Sequence, residues 1–180
     1  RPYRAERVRR SRPGVLKLID SPVASYPWFR EQFERDVALW ASFRHRHIVA
    51  LYGAGEDDGT AYVAMRPFSE ITLADLIAVS GTIDHLRVTG LVAQVAAALD
   101  YANSRGLVHR DIKPANLLFD EHGIVRVADF GLARALAEAS WTEPAGTVLG
   151  TARYAAPEQA TGAPLDGRAD IYALGLVMVE

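Results

Sequence analysis

Hydrophobic and polar residues alternate in the early part of the chain at the spacing that is typical of β-strands. In residues 14–20, Val15, Lys17 and Ile19 fall on one side of the chain and leucines occupy the other. Residues 47–65 contain two further runs that are joined by the turn-rich stretch GEDDG. We therefore predict a strand in each run, with the second and third strands forming a hairpin.

Helical spacing interrupts these strands once and dominates later in the chain. Residues 28–43 carry large apolar residues at intervals of four, four and three: Phe29, Phe33, Val37 and Trp40. This spacing places them on one face of a helix. The stretch TLADLI begins another helix, and a long helix over 84–104 ends before the stop signal Gly106. Residues 115–128 predict a hairpin that turns through DEHG.

The change from strands to helices divides the chain near residues 66–68. We predict a small, mainly β lobe over residues 1–66 and a larger, mainly helical lobe over 67–180. A crevice between two lobes is a common place for a ligand. Within the second lobe, residues 131–157 are rich in Ala, Gly, Thr and Pro and are predicted to be a loop.

Composition narrows the class of protein. The chain has 180 residues, of which 49% are hydrophobic and 23% charged, with a net charge of −2. These values are ordinary for a folded domain and give no general reason to expect nucleic-acid or membrane binding. An exposed strand accounts for the Arg-rich opening better than a nucleic-acid or lipid contact does. Absence of cysteine excludes disulfides and thiolate metal sites. No apolar run reaches the about 18 residues of a membrane span, so we expect a cytoplasmic segment.

Two charged residues fall on predicted apolar faces. Asp36 shares the helical face of Phe33 and Trp40, and Lys17 shares a strand face with hydrophobic neighbours. A buried carboxylate needs a cation or several hydrogen-bond donors. We therefore predict an ion pair between Lys17 and Asp36. The alternative, in which either side chain reaches the solvent at the rim, stays open.

The stretch LVHRDIKPANLLF at 107–119 places five polar residues between two apolar segments: His109, Arg110, Asp111, Lys113 and Asn116. Polar groups that are buried without partners cost several kcal/mol each. A functional site explains the pattern better than a solvated loop does, because the flanking segments look buried.

The hairpin after this stretch supplies the second half of the predicted site. It returns the stretch ADFGLAR, so Asp129 comes back near Asp111, Lys113 and Asn116. The oxygens of Asn116 and Asp129 suit Mg²⁺, which takes few protein ligands together with phosphate oxygens and water. Asp111 is then available to accept a hydroxyl proton, and Lys113 to neutralise charge on a transferred phosphoryl group.

These motifs, in this order, resemble the signature of eukaryotic-type (Hanks-type) Ser/Thr protein kinases. HRDIKPAN, DFG and APE (156–158) carry the resemblance, and GTARYAAPEQ and RADIYALG are similar to bacterial members. The resemblance implies an incomplete α+β, protein-kinase-like fold with two lobes. The small β-rich N-lobe with its αC helix would occupy 1–66, and the helical C-lobe 67–180.

The resemblance also implies a role for each polar residue. Asp111 resembles the catalytic base, Lys113 the lysine that contacts the γ-phosphate, and Asn116 and Asp129 the Mg²⁺ ligands. Lys17 resembles the lysine that holds the α- and β-phosphates of ATP. Its implied partner on the αC helix is Asp36.

Further positions follow from the same resemblance. The implied adenine pocket consists of Met65 as gatekeeper, the backbone of Arg66 and Phe68, and Val15 and Leu118 as apolar covers. The implied hydrophobic spine consists of Leu51, Trp40, His109 and Phe130. Glu158 and Asp170 are expected to be structural, and Thr151 to contact Asp111 and Lys113.

Arg110 beside the catalytic base suggests control by phosphorylation, since arginine pairs bidentately with phosphate. Thr142 and Thr147 are the candidate autophosphorylation sites, with Ser140 a weaker one, and each remains open to being an ordinary loop hydroxyl.

Departures from the family pattern leave two functions open. No glycine-rich loop is present, Asp36 is one methylene shorter than the usual Glu, and the sequence stops within a predicted helix. We expect a catalytic-core segment of an enzyme that transfers phosphate from ATP to Ser/Thr hydroxyls of protein substrates. The alternative is a pseudokinase or scaffold that binds partners without turnover.

Overall fold

The structure is a computed structural model that describes residues 2–7, 12–19, 27–68, 71–130, 152–161 and 163–180. Its strands are β1 Pro2–Arg7, β2 Arg12–Ile19, β3 Leu51–Asp57, β4 Thr60–Met65, β5 Leu117–Phe119 and β6 Val125–Val127. Its helices are α1 Pro27–Ser42, α2 Leu73–Ser80, α3 His85–Asn103, α4 Pro157–Thr161 and α5 Arg168–Val179. Single 3₁₀ turns lie at Pro114–Asn116 and Ala152–Tyr154.

Strands β1 to β4 form an antiparallel sheet in the order β1-β2-β4-β3. The predicted hairpin over 47–65 is confirmed, and its turn consists of Asp58 and Gly59. Both residues have positive φ angles, of 45° and 79°. Two consecutive left-handed residues match the twist of a tight hairpin, which explains the Asp-Gly pair.

Helix α1 buries the predicted apolar face. Phe29, Phe33, Val37 and Trp40 are all buried, and the rings of Phe29 and Phe33 stack at a centroid distance of 5.8 Å. Asp36 lies at the edge of this face and is only half-buried, with Oδ1 accepting a hydrogen bond from Gln32 Nε2 at 2.8 Å. The helical wheel placed this carboxylate inside the buried stripe, and the structure corrects that placement.

The segment after α1 joins the sheet to the second hairpin. The indole Nε1 of Trp40 donates to the carbonyl of Val49 at 2.9 Å. Val49 N donates to Val127 O, and Val127 N donates to His47 O, both at 2.9 Å. Ile48 therefore runs parallel to β6 at this point. These backbone bonds fix the β-rich part of the molecule against the hairpin β5-β6, which carries the predicted site.

The long predicted helix and its stop signal are confirmed in α3. Gly106 has a φ of 83°, Gly106 N donates to Asn103 O, and Leu107 N donates to Ala102 O. This pair of bonds is a Schellman motif, which requires a left-handed residue after the helix. The second hairpin is confirmed as well, with Leu117 paired to Val127.

Several expectations lie outside the described residues. The loop predicted over 131–157 is described only from 152 onward, where the chain forms a 3₁₀ turn and enters α4. The candidate phosphoacceptors Ser140, Thr142 and Thr147, and also Thr151, fall in the undescribed part. The division between 1–66 and 67–180 stays a prediction. Within the described ranges, every helix is too short or too polar to cross a bilayer.

Two glycines of the α3 region should respond to alanine in opposite directions. A Cβ at either Gly90 or Gly106 meets no atom within 4 Å, so only the backbone distinguishes them. Gly106→Ala forces a left-handed alanine and should lower the free energy of unfolding by about 1 kcal/mol. Gly90→Ala, inside the helix, should raise it by about 0.5–1 kcal/mol. Guanidinium unfolding of the full-length protein measures both, and changes of equal sign would contradict the assignment.

Candidate active site

The polar loop at 109–111 is anchored by one buried carboxylate. Asp170, at the start of α5, is 2% exposed and accepts hydrogen bonds from His109 N and Arg110 N, each at 2.7 Å. Burial raises the pKa of this carboxyl, while the two backbone N–H bonds and the charge of Arg110 act to lower it. The expected structural role of Asp170 is therefore to hold the backbone of the loop, across 60 residues of sequence.

A second side chain holds the same loop from its carbonyl side. Gln159 Nε2 donates to Arg110 O at 3.0 Å, and Gln159 Oε1 accepts from Ala156 N at 2.9 Å. Arg110 itself adopts a left-handed φ of 70°, which a non-glycine residue keeps only when its surroundings impose it. Gln159 was not predicted, since an isolated glutamine gives no local signal of a contact 49 residues away.

His109 is a core histidine with a defined tautomer. Its Nε2 lies 2.7 Å from Ala128 O, and its Nδ1 accepts from Asp111 N at 3.2 Å. The first contact requires a hydrogen on Nε2 and the second requires a lone pair on Nδ1, so the neutral ring satisfies both. The ring meets Phe130 edge-on at a centroid distance of 4.6 Å, and Phe130 lies 6.4 Å from Trp40. Three members of the predicted spine thus pack in sequence, and the fourth, Leu51, is buried.

Asp111, Lys113 and Asn116 form one connected group. The Lys113 ammonium lies 2.8 Å from Asp111 Oδ2. Asn116 Nδ2 donates to the same Oδ2 at 3.0 Å and to Asp111 O at 2.7 Å. Two donors therefore orient the carboxylate, whose side chain is still 17% exposed. The predicted convergence of these three residues is what the structure shows.

Asp129 joins the group through the backbone of the hairpin. Ala128 N donates to Asn116 O at 3.0 Å, which brings Asp129 beside the asparagine. Asp129 adopts a left-handed φ of 65°. Its Oδ2 lies 2.6 Å from the Lys17 ammonium, which comes from β2 and is 112 residues away in sequence.

The partner of Lys17 differs from the prediction. Its ammonium contacts Asp129 at 2.6 Å, whereas the Asp36 carboxylate accepts a hydrogen bond from Gln32 Nε2, one helical turn away. The ion pair predicted between Lys17 and Asp36 is therefore not formed in this structure. The physical reason is that the hairpin brings the Asp129 carboxylate within ion-pair distance of Lys17, while Asp36 stays at the half-buried edge of its helix face.

The donor set of Asn116 and Asp129 fits a magnesium ion. The amide nitrogen of Asn116 is directed at Asp111, so its Oδ1 remains as an acceptor, and Asp129 supplies a carboxylate. Mg²⁺ prefers such hard oxygens and completes its shell with phosphate and water. Among the described residues, no three His, Cys, Asp or Glu side chains are grouped as a metal site. An ion held here would therefore depend on phosphate oxygens from a nucleotide.

The residues expected around adenine lie on the connecting segments. Val15 of β2 is half-buried and stands opposite Met65 of β4, which is buried. Arg66 is exposed, with its N–H bonded to Ala50 O at 2.8 Å, and Phe68 is half-buried. Leu118, the last residue expected at adenine, is buried on β5 and forms an isolated β-bridge with Thr72. Their contact with a nucleotide stays a prediction.

Comparison with known proteins identifies the family of this fold and site. The family described as protein kinase domain matches residues 3–180. Serine/threonine-protein kinase PknB of Mycobacterium leprae is 35% identical over 180 residues, covering 98% of this chain and 29% of PknB. Serine/threonine-protein kinase PknL of Mycobacterium tuberculosis is 38% identical over 178 residues, covering 99% of this chain and 44% of PknL.

The solved kinase domain of Mycobacterium tuberculosis PknI superposes with a TM-score of 0.82 at 33% identity. That match covers 99% of this chain and 66% of the PknI chain. The chain belongs to the protein kinase family. The expected resemblance to bacterial Ser/Thr kinases and the expected α+β kinase fold are confirmed. The chain spans less than a third of PknB and less than half of PknL.

Removal of the loop anchor should destabilise the site more than removal of an exposed acid. Asp170→Ala leaves two buried N–H groups without an acceptor and should cost about 2 to 4 kcal/mol of unfolding free energy. Amide hydrogen exchange at His109 and Arg110 should accelerate. Glu34→Ala, at an exposed site on α1, should change stability by less than about 0.5 kcal/mol. Equal stability of the Asp170 variant and wild type would contradict the anchoring role.

Proposed function

We propose that this chain is the catalytic core of an enzyme that transfers the γ-phosphoryl group of ATP to Ser/Thr hydroxyls of proteins. One observation carries the proposal. Lys113 and Asn116 both contact the Asp111 carboxylate, and Lys17 pairs with Asp129. The backbone bond from Ala128 N to Asn116 O joins these two groups, because Ala128 precedes Asp129 in the chain. Such a group of cations, oxygen ligands and one orientated carboxylate suits phosphoryl transfer, in which positioning and charge neutralisation dominate.

Asp111 acts on the substrate hydroxyl. Its carboxylate is held by Lys113 and Asn116 and remains partly exposed, so a hydroxyl can reach it. The hydroxyl oxygen forms a bond to the γ-phosphorus, the bond from that phosphorus to the β–γ bridging oxygen breaks, and ADP leaves. The hydroxyl proton passes to Asp111. Lys113 neutralises the charge that develops on the transferred group.

Lys17, Asn116 and Asp129 hold the triphosphate end of ATP. Asn116 and Asp129 would hold Mg²⁺, which would supply charge neutralisation on the phosphates. In this structure the Lys17 ammonium forms an ion pair with the Asp129 carboxylate. We infer that ATP draws Lys17 to the α- and β-phosphates and releases Asp129 for the metal. Asp36 then becomes the available acidic partner of Lys17, provided that α1 moves inward.

The remaining parts of the proposal extend beyond this site. Adenine binds between Val15 and Leu118, at the backbone of Arg66 and Phe68, next to Met65. Protein substrates carry Ser or Thr, consistent with the names of PknB and PknL. Autophosphorylation at Thr142 or Thr147 regulates the enzyme, and the catalytic segment works in the cytoplasm.

A scaffold without turnover is the second candidate. The contact of Lys17 with Asp129 and the bond of Asp36 with Gln32 favour it, since both residues are engaged away from a nucleotide. It predicts partner binding that is independent of nucleotide and no phosphate transfer.

Substitution of the proposed base and metal ligand distinguishes these candidates. In the full-length protein, Asp111→Asn and Asp129→Ala should each lower transfer of labelled phosphate to a generic protein substrate by about 100-fold or more. Glu121→Gln, an isosteric change at an exposed hairpin turn, should leave the rate unchanged. Unchanged activity in either aspartate variant would overturn the assigned roles, and absence of turnover in the wild type would favour the scaffold.

Lengthening the acid on α1 tests the partner of Lys17 in the active state. Asp36→Glu should maintain or raise the rate at limiting ATP, because the carboxylate gains one methylene of reach. Asp36→Asn keeps the size, removes the charge and should lower it. Initial rates over a range of ATP concentrations measure both variants. A collapse of activity in Asp36→Glu would show that Asp36 is not the αC partner.

A further inference from the structure

A cluster of basic and aromatic residues lies where the segment after α1 meets the end of α3. This basic–aromatic patch consists of Arg44, His45, Arg46, Tyr101 and Arg105. The three arginines are exposed, and His45 and Tyr101 are half-buried. None of the five has a part in the proposed phosphoryl transfer, so the patch calls for a separate explanation.

The ring of Tyr101 organises the patch. The guanidinium carbon of Arg105 lies 3.6 Å from the ring centroid, a cation–π contact, and the ring of His45 lies at 4.9 Å with a tilt of 33°. The Tyr101 hydroxyl accepts a hydrogen bond from Arg44 N at 2.9 Å. Arg105 Nη1 also bonds Tyr101 O and Ser104 Oγ, at 3.2 and 3.3 Å. An exposed arginine is thus held in one place before any ligand arrives.

The positive charge of the patch is not neutralised from within the described part of the chain. There, no carboxylate lies within ion-pair distance of Arg44, Arg46 or Arg105. The adjacent Arg126 shows the contrast, because its Nη2 pairs with Asp120 at 2.9 Å. Arg44 Nη1 donates to two backbone carbonyls, Ala41 O and Phe43 O, at 2.9 and 2.8 Å, which hold this guanidinium without neutralising its charge.

Besides burial, the positive charge of the patch affects the pKa of His45. Burial lowers the pKa of His45, and the nearby His47, Arg105 and Arg46 lower it further. Its Nδ1 accepts from His47 N at 3.3 Å, so the neutral ring carries its hydrogen on Nε2. The histidine therefore adds an Nε2–H donor to those of the neighbouring guanidinium groups.

We propose that the basic–aromatic patch binds the phosphate of a phosphorylated Ser or Thr side chain on a protein segment. A phosphate monoester carries more charge than a carboxylate and offers three oxygens, which suits the Arg105 guanidinium held on Tyr101 together with the neighbouring exposed arginines. A compact cluster favours one multivalent anion over an extended lipid surface. The choice of phosphorylated Ser/Thr among phosphoryl groups rests on the proposed function, because that enzyme makes this group.

Fluorescence anisotropy with the full-length protein tests the proposal. The probes are a labelled phosphothreonine peptide and its unphosphorylated form. The phosphopeptide should bind more tightly, and Arg46→Glu and Arg105→Gln should each weaken it by about tenfold or more. Arg87→Glu and Arg87→Gln, near the other end of α3, are the matched charge controls and should change affinity by less than about twofold.

The possible outcomes distinguish a phosphopeptide from other sources of phosphate. They also distinguish failure of this binding site from failure of the proposed phosphoryl transfer. Equal affinity for both peptides, or equal losses in the Arg46 and Arg87 variants, would overturn the site. Equally strong competition by inorganic phosphate, or binding of phosphatidylserine vesicles in its place, would assign the patch to a different anion and overturn it too. Binding that Asp111→Asn leaves intact supports a site outside the active centre. Since the assay needs no turnover, an inactive enzyme can still bind the phosphopeptide.

Discussion

The hydrogen bonds from His109 N and Arg110 N to the buried carboxylate of Asp170 are the constraint on which the site depends. They connect a helix near the end of the described chain to a loop 60 residues earlier, at 2.7 Å in each case. A buried carboxylate is costly unless donors surround it, so it fixes the backbone that meets it. Asp111 follows directly, and its orientation determines what Lys113 and Asn116 can contact.

Among the described residues, backbone strain is concentrated at the same site. Arg110 and Asp129 share the left-handed region with only one other non-glycine residue among the described ones, Asp58 in the hairpin turn. Such conformations cost about 1–3 kcal/mol each and persist only where the surroundings impose them. For Arg110 the surroundings are Asp170 and Gln159, which bind its N–H and its carbonyl. At Asp129, the ion pair with Lys17 and the bond from Ala128 to Asn116 hold the residue in place.

Local patterns in the sequence predicted the elements well, because each element carries its own signal. The Asp58-Gly59 turn, the face of Phe29 and Trp40, and the stop at Gly106 all depend on residues a few positions apart. One part of the site was predictable from the order of residues along the chain. A single tight hairpin brings Asp129 back to Asp111 and Asn116.

The ion pair predicted between Lys17 and Asp36 is wrong for this structure, and it shows the limit of prediction from local patterns. A helical wheel gives the direction of a side chain but not the competing carboxylate of Asp129, 112 residues from Lys17. The same limit hid Gln159, whose two contacts are set by how α4 packs against the loop. The local periodicity of a sequence does not determine which of several distant residues a side chain contacts in the folded protein.

The central claim is that Asn116 and Asp129 bind a magnesium–nucleotide complex once Lys17 leaves Asp129. Calorimetric titration of ATP into the full-length protein, with and without Mg²⁺, tests it most directly. We predict that Mg²⁺ tightens ATP binding in the wild type and that Asp129→Asn abolishes this effect. A magnesium dependence that is the same in both proteins would contradict the account.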